Sequence, residues 1–188
     1  MNFAIIIQAR TGSKRYPQKI LEKIDQRSIL EFLIDRLLDY FPKNQIIIAT
    51  TTLKRDNVIC NLAKKKEISF FRGSENNVLK RYIDCAKKFK IQNIMHITSD
   101  CPLVDIRLAK NMKKIYFFNK LDYLANTYPP KKSKFPDGSD IEIYKFKSLI
   151  KLSKLSDRKE DKEHVTNFFW KNPEKFKTKI IYQKKNLS

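Results

Sequence analysis

Residues 3–19 read FAIIIQARTGSKRYPQK, an apolar run followed at once by a basic loop that contains a glycine. The apolar run at 3–7 is typical of a central strand in a parallel sheet. The loop after such a strand leaves the sheet at its carboxyl edge, where open α/β sheets bind ligands. Gly12 lets the loop backbone approach an anion, and Ser13 offers a hydroxyl. The basic side chains of the loop, which can donate charge-assisted hydrogen bonds, are Arg10, Lys14, Arg15 and Lys19.

This loop indicates a polyphosphate site, and a surface turn in a lysine-rich protein is the alternative. The P-loop pattern is absent, because no Gly-Lys-Ser or Gly-Lys-Thr ends the loop. The three-glycine dinucleotide fingerprint is absent as well. The loop therefore predicts an anion site of another kind.

Size and composition favour one globular domain spanning 1–188, since 41% of the residues are hydrophobic. No stretch approaches the roughly 20 apolar residues of a membrane span, and no signal peptide is recognisable, so we expect a cytoplasmic protein. Three widely spaced cysteines fit free thiols. The net charge of +20 invites nucleic acid as a partner. The lysines are scattered among acids, however, so we expect a solvated surface and keep nucleic-acid binding as the rival.

Apolar periodicity predicts strands and helices that alternate along the chain. Strands are predicted at 3–8, 45–50, 68–71, 93–98, 122–125, 139–144 and 176–182. Helices are predicted at 28–39, 56–65, 75–89, 105–118, 147–155 and 160–170, with Ser28, Ser74 and Asp105 as N-caps. This alternation predicts a mostly parallel sheet covered on both faces.

Polar segments follow several of the predicted strands, at 9–19, 72–75 and 99–102. Loops after neighbouring parallel strands meet in one crevice, so we expect these segments to converge. Asp100 stands directly after an apolar strand, and Pro102 fixes the backbone beyond it. A carboxylate there could hold Mg²⁺, which prefers oxygen ligands shared with substrate phosphates, or could organise a turn.

An ordered set of motifs resembles the cytidylyltransferases of the spore-coat polysaccharide type, relatives of the CMP-Kdo and CMP-acylneuraminate synthetases. The resemblance covers nearly the whole chain, and all three glycines fall inside it. The matching motifs, with x for any residue, are QARxGSxRxPxK at 8–19, FRGSE at 71–75, VLxRY at 78–82, ITxDCPLxD at 97–105, NT at 126–127, FPDGxDxE at 135–142 and EHVT at 163–166.

The resemblance implies a three-layer, Rossmann-like nucleotidyltransferase fold of the glycosyltransferase-A type. It also implies a reaction in which CTP and a sugar give a CMP-sugar and pyrophosphate, with CTP, the sugar and Mg²⁺ as partners. A homodimer is an open expectation. By resemblance, Asp100 would ligate Mg²⁺ and would act in catalysis with Arg15 and Lys19. The residues implied to bind the nucleotide are Ala9, Arg10, Gly12, Ser13, Arg15, Lys19, Arg72, Gly73 and Ser74.

The residues implied to face the acceptor sugar are Asp137, Asp140, Glu142 and His164. Each has an alternative. Asp137 could form a turn before Gly138. Asp140 and Glu142 could bind a sugar or a metal, or could line the solvated face of an edge strand. His164 could contact substrate, or could bond to a backbone carbonyl within a helix.

One departure concerns the metal. Family members usually continue past the position of Ser188 with a Val-Asp-x-Pro-Glu-Asp segment, whose first aspartate supplies a second metal carboxylate. We expect this chain to lack that segment. Three alternatives follow: a truncated product, recruitment of Asp140 or another acid, or an inactive relative.

Overall fold

The computed structural model describes residues 1–13, 15–127, 134–136, 138–155, 161–162 and 165–183. Its strands are β1 (Phe3–Gln8), β2 (Lys23–Ile24), β3 (Arg27–Ser28), β4 (Ile46–Thr51), β5 (Ser69–Gly73), β6 (Asn93–Thr98), β7 (Tyr123–Ala125), β8 (Glu142–Lys145) and β9 (Thr178–Ile180). Its α-helices are α1 (Ile29–Leu38), α2 (Asn57–Lys65), α3 (Val78–Lys88), α4 (Ile106–Phe118), α5 (Phe146–Leu155) and α6 (Asn167–Lys171).

The main sheet has seven strands in the order β5-β4-β1-β6-β8-β7-β9. The strand pairs β1–β4, β1–β6, β4–β5 and β7–β9 are parallel, whereas β8 runs antiparallel between β6 and β7. The expectation of a mostly parallel sheet is confirmed. β1 lies in its middle, and the apolar residues 3–7 are at most 5% exposed, as a central strand requires.

Two hydrophobic cores lie on opposite faces of the sheet, because successive side chains of a strand point to opposite sides. Ile5 and Ile7 pack with α1, α2 and α4 on one face. Ala4 and Ile6 pack with α3, α5 and α6 on the other. These layers are the helix–sheet–helix arrangement that alternation along the chain predicts.

Three local predictions need correction. Ser74 does not cap α3, because the helix begins later and the Asn77 side chain accepts from Lys80 N; the Ser74 hydroxyl instead accepts from Asn77 N. The predicted helix at 160–170 is interrupted, since residues 165–166 form a turn before α6. The predicted strand at 139–144 begins only at residue 142.

The other two predicted N-caps are confirmed. The Ser28 hydroxyl accepts from Glu31 N, and the Asp105 carboxylate accepts from the backbone N–H groups of Arg107 and Leu108. Sequence reasoning missed the β2–β3 hairpin, whose strands are too short to show a period. Across the described residues, no helix has the length and apolar character needed to span a membrane.

Candidate functional site

The loop after β1 and the loop after β6 meet in one cavity of about 330 Å³. Lys19 Nζ lies 3.3 Å from Asp100 Oδ2, and each side chain is about two-fifths exposed. Sequence reasoning requires these two groups to share a cleft, and the structure brings them into contact. The described lining residues are Gln8, Arg10, Ser13, Arg15, Lys19, Ile20, Val78, Thr98, Ser99 and Asp100.

Strand register explains why residues so far apart in sequence converge. Gln8 at the end of β1 pairs with Thr98 at the end of β6, so the two loops start side by side. The backbone N–H of Ser99 donates to the carbonyl of Gln8 over 3.1 Å, which carries the pairing one residue further. Both loops therefore leave the carboxyl edge of the sheet at the same point.

A second cavity of about 850 Å³ shares Arg10 and Ser13 with the first. Its remaining described lining residues are Thr11, Gly12, Pro17, Gln18, Leu21, Arg55, Val58, Glu75 and Asn76. The two cavities together form a groove over the loop after β1. Arginine and lysine side chains along this groove can hold several anionic groups at once.

Asp56, in the segment after β4, holds the loop after β1 in place through hydrogen bonds from Thr11. Its buried carboxylate accepts hydrogen bonds from Thr11 N at 2.8 Å and Thr11 Oγ1 at 2.7 Å, and a third from Thr51 Oγ1. Burial opposes ionisation of Asp56, but the hydrogen bonds from the two threonines outweigh it and lower its pKa. The ionised carboxylate thus fixes the first turn of the loop to the segment after β4.

Sequence reasoning missed Asp56 and Arg55 as parts of the site. The segment after β4 leaves the same edge of the sheet as the loops after β1 and β6, because β4 pairs in parallel with β1. Segments that follow parallel strands meet at the carboxyl edge of the sheet, which is why 9–19, 72–75 and 99–102 are predicted to converge. The same reasoning applied to the strand at 45–50 would have added residues 52–56.

Arg72, Gly73 and Ser74 lie beside the groove and are hydrogen-bonded to residues that support it. The Arg72 guanidinium donates to Thr51 O, Leu53 O and Asn57 Oδ1 at 2.8–2.9 Å. Gly73 O accepts from Thr52 N, and Ser74 O accepts from a buried arginine, Arg81. Of the segment after β5, the described residues that line the second cavity are Glu75 and Asn76. A nucleotide contact from 72–74 stays a prediction.

Ala9 and Ser13 occupy different places in the loop after β1. Ala9 is buried, and its backbone N–H donates to Ala49 O over 3.2 Å, which extends the sheet by one residue. Ser13 lines both cavities, and its hydroxyl accepts from Tyr16 N over 3.3 Å. Ser13 is therefore placed to contact a ligand directly, whereas Ala9 can do so only through its backbone.

Glu142 lies in the interior, in neither of these cavities. It is 5% exposed, and its carboxylate accepts from Tyr123 OH and from Thr166 Oγ1. The alternative that it lines the solvated face of an edge strand is wrong, because β8 lies between two other strands. Burial raises the pKa of Glu142 to about 7 and lowers that of His96, whose Nδ1 is 3.6 Å from Glu142, to about 4. The sugar contact proposed for Glu142 stays a prediction.

Asp140 lies in the half-buried segment before β8, two residues after Gly138, which lies beside Cys101. A Cβ atom built on Gly138 would be 3.8 Å from Cys101 Sγ, and the charges of Asp140 and Asp100 both act on this thiol. The segment containing Asp140 therefore runs past the Asp100 side of the first cavity. Asp137 and His164 lie outside the described residues.

Cys101 is a buried packing residue, as the sequence indicates. It is 8% exposed, and its sulfur accepts from Thr98 Oγ1 over 2.9 Å. Burial raises the pKa of the Cys101 thiol to about 11, so the thiolate that a nucleophile needs is scarce near neutral pH.

The donor set around Asp100 fits a magnesium ion brought in with substrate phosphates. Asp100 offers a partly exposed carboxylate inside the cavity, and Mg²⁺ usually takes one or two carboxylates together with phosphate oxygens and water. Among the described residues there is no cluster of three or more histidine, cysteine or acidic side chains that could cage a metal. The site thus fits a metal shared with a ligand.

The sheet, its helical layers and the cationic groove define a Rossmann-like nucleotidyltransferase fold. The family model "Cytidylyltransferase" matches residues 4–187, so the chain belongs to the cytidylyltransferase family. The predicted resemblance and fold class are thereby confirmed.

Three similar proteins illustrate the relationship. An uncharacterised protein of Methanocaldococcus jannaschii is 38% identical over 172 residues, which span 92% of this chain and 68% of that protein. The spore coat polysaccharide biosynthesis protein SpsF of Bacillus subtilis is 29% identical over 183 residues, spanning 94% and 73%. The structure of a cytidylyltransferase from Leptospira borgpetersenii superposes with a TM-score of 0.94 at 33% identity, covering 100% of this chain and 79% of that one.

Proposed function

We propose that the protein is a Mg²⁺-dependent cytidylyltransferase that transfers CMP from CTP to a sugar of surface-polysaccharide biosynthesis and releases pyrophosphate. The observation that carries this proposal is the contact between Lys19 and Asp100 in a cavity that also holds Arg10, Ser13 and Arg15. A triphosphate and its metal need cations and a carboxylate within the same cavity.

In the proposed reaction, a hydroxyl oxygen of the sugar attacks the α-phosphorus of CTP in line with the leaving group. A new bond forms between that oxygen and phosphorus, the bond to the bridging oxygen of the β-phosphate breaks, and the hydroxyl proton passes to solvent or a base. Arg10, Arg15 and Lys19 stabilise the charge that develops on the departing pyrophosphate. Positioning and charge neutralisation supply the catalysis, and no covalent enzyme intermediate is needed.

Asp100 would hold the magnesium ion, which supplies charge neutralisation of the triphosphate when bound. Asp100 pairs with Lys19 in the structure, and a carboxylate that holds the ion would no longer pair with Lys19. The Lys19 ammonium would then bind a phosphate oxygen. The pairing keeps both side chains in the cavity before substrate arrives.

The acceptor sugar is proposed to enter on the Asp140 side. Asp140 and Gly138 run beside Cys101, and Cys101 directly follows the metal carboxylate. This placement supports a sugar contact from Asp140, and by resemblance from Asp137, Glu142 and His164. The name of the Bacillus subtilis relative supports a polysaccharide sugar as the acceptor. A cytoplasmic location and a homodimer stay predictions.

Two measurements test the proposal. Calorimetric titration with CTP in the presence of Mg²⁺ should give saturable binding at one site per chain. Pyrophosphate release should then depend on both CTP and a sugar acceptor taken from a panel of surface-polysaccharide sugars. Binding without release for any sugar would favour a non-catalytic nucleotide-binding relative. Salt-sensitive RNA or DNA binding without CTP binding would overturn the proposal in favour of a nucleic-acid partner.

A further inference from the structure

The guanidinium of Arg55 lies close to Gly12, in the loop after β1. A Cβ atom built on Gly12 would come within 2.5 Å of Arg55 Nη2, 2.8 Å of Cζ and 3.0 Å of Nε. Gly12 has no left-handed backbone angle, and a side chain at this position would displace the end of the flexible Arg55 side chain. Because Gly12 has no side chain, the Arg55 guanidinium has room beside the loop after β1.

Arg55 is held in this place by Glu75. Its Nη2 donates to Glu75 Oε1, so the pair connects the segment after β4 to the segment after β5. The Arg55 side chain is 51% exposed and that of Glu75 is 26% exposed. Both residues line the second cavity, which joins the first through Arg10 and Ser13. A ligand that follows the loop from one cavity to the other would meet the Arg55 guanidinium.

We propose that Arg55 binds a phosphate group of the nucleotide, and that Glu75 competes with the nucleotide for the Arg55 guanidinium. The inference rests on the proposed function for the identity of the ligand. Ion pairs of this exposure contribute little stability in water, so the exchange costs little. A phosphate offers more negative charge than a carboxylate and accepts the two parallel hydrogen bonds of an arginine fork equally well.

The arrangement repeats the one at the other end of the groove. Lys19 pairs with Asp100 in the first cavity, as Arg55 pairs with Glu75 in the second. In each case an acid partly neutralises a cation of the groove. The difference is that Asp100 would hold the magnesium ion of the proposed reaction when Lys19 turns to a phosphate, whereas Glu75 would lose its pairing with Arg55. Removing the Glu75 charge should therefore strengthen nucleotide binding.

The test is a double-mutant cycle on nucleotide affinity, measured calorimetrically without metal so that Asp100 does not contribute through Mg²⁺. The variants are Glu75→Gln, Arg55→Gln and the double variant, each titrated with CTP, cytidine and inorganic tripolyphosphate. Glu75→Gln should bind CTP about two- to fivefold more tightly, and Arg55→Gln about tenfold more weakly. The double variant should match Arg55→Gln, because Glu75 acts only through Arg55. Cytidine affinity should be the same in all variants.

Glu67→Gln is the matched control for net charge. It removes an acid from the exposed Lys43–Glu67 pair, which lies before β4 and β5 at the opposite edge of the sheet. It should leave CTP affinity unchanged. Arg55→Lys, which keeps the charge but not the fork, should fall between wild type and Arg55→Gln.

Three results would overturn the inference. Glu75→Gln could bind CTP more weakly than wild type, or it could raise CTP affinity by the same factor in the Arg55→Gln background as in wild type. The third is a change in cytidine affinity that equals the change in CTP affinity. Tripolyphosphate separates this inference from the proposed function. If the variants shift tripolyphosphate affinity as described but CTP does not bind even when Mg²⁺ is added, Arg55 is an anion ligand and the proposed function fails. If the wild type binds CTP and none of the variants differs from it, only the Arg55 inference fails.

Discussion

Replacing Asp56 should weaken both the fold and the nucleotide site, because this carboxylate ties the loop after β1 to the segment after β4. Asp56→Asn keeps an acceptor for Thr11 N and Thr11 Oγ1, but turns an amide donor toward Thr51 Oγ1. That hydroxyl already accepts from Leu53 N, so its own proton loses its partner. Hydrogen bonds to a buried charge contribute about 1.5–3 kcal/mol each, so we expect a loss of about 2–3 kcal/mol.

Asp56→Ala should cost more, about 4 kcal/mol, since Thr11 N is then a buried donor without a partner. The pH dependence gives a second check. The pKa of Asp56 is lowered in the folded state, so its contribution is present above its unfolded pKa and is lost as pH falls through the folded value. The difference between wild type and Asp56→Asn should therefore be largest near neutral pH and shrink in acid.

Urea unfolding between pH 3 and 8, combined with CTP titration, measures both effects. Asp122→Asn is the matched control. Its carboxylate also joins two segments, accepting from Lys177 N at 3.0 Å and Lys145 Nζ at 2.9 Å. Burial opposes ionisation of Asp122, but these hydrogen bonds outweigh it and lower its pKa. It lies at the other edge of the sheet, before β7. Asp122→Asn should lower stability without changing CTP affinity. Wild-type CTP affinity in folded Asp56→Ala, which loses both hydrogen bonds to Thr11, would refute the anchoring role.

Three further outcomes are expected. Arg15→Ala and Asp100→Ala should each lower pyrophosphate release by about 100-fold or more, corresponding to about 3 kcal/mol of transition-state stabilisation, with circular dichroism unchanged; normal turnover in either would contradict the scheme. Glu142→Gln should make stability rise with pH between pH 4.5 and 7 more steeply than in wild type, because the raised pKa of Glu142, about 7, costs wild type up to about 3 kcal/mol through this window, whereas the lowered pKa of His96, about 4, contributes in the opposite direction; the same slope in both proteins in urea unfolding would mean that Glu142 does not titrate in this window. Ser28→Ala should cost about 1 kcal/mol through loss of the N-cap of α1 and leave CTP binding intact, and a larger loss would point to an unrecognised role.

The central strands could be predicted closely because their sequence signals are strong. All five residues of the apolar run at 3–7 need burial, which only a strand covered on both faces provides. β1 begins and ends where the sequence indicates. Capping signals succeeded where a single polar residue could reach the first helical N–H groups, as at Ser28. They failed at Ser74 because Asn77, three residues later, is the better placed acceptor.

The groove could be predicted only in part. Convergence of Lys19 and Asp100 follows from strand adjacency, which a parallel sheet imposes. The burial of Glu142 does not follow from alternation, because both faces of an internal strand are covered. The Arg55–Glu75 pair joins the segments after β4 and β5, which approach each other only in the folded chain, so no spacing in the sequence indicates the pair.

The most direct test of the account is a crystal structure of the protein with CTP and Mg²⁺. We expect the triphosphate over the loop after β1, in contact with Arg10, Arg15 and Lys19, and the metal on Asp100, with Lys19 moved away from that carboxylate. A nucleotide bound elsewhere, or a triphosphate in the groove with Lys19 and Asp100 still paired and no metal on the carboxylate, would contradict the account.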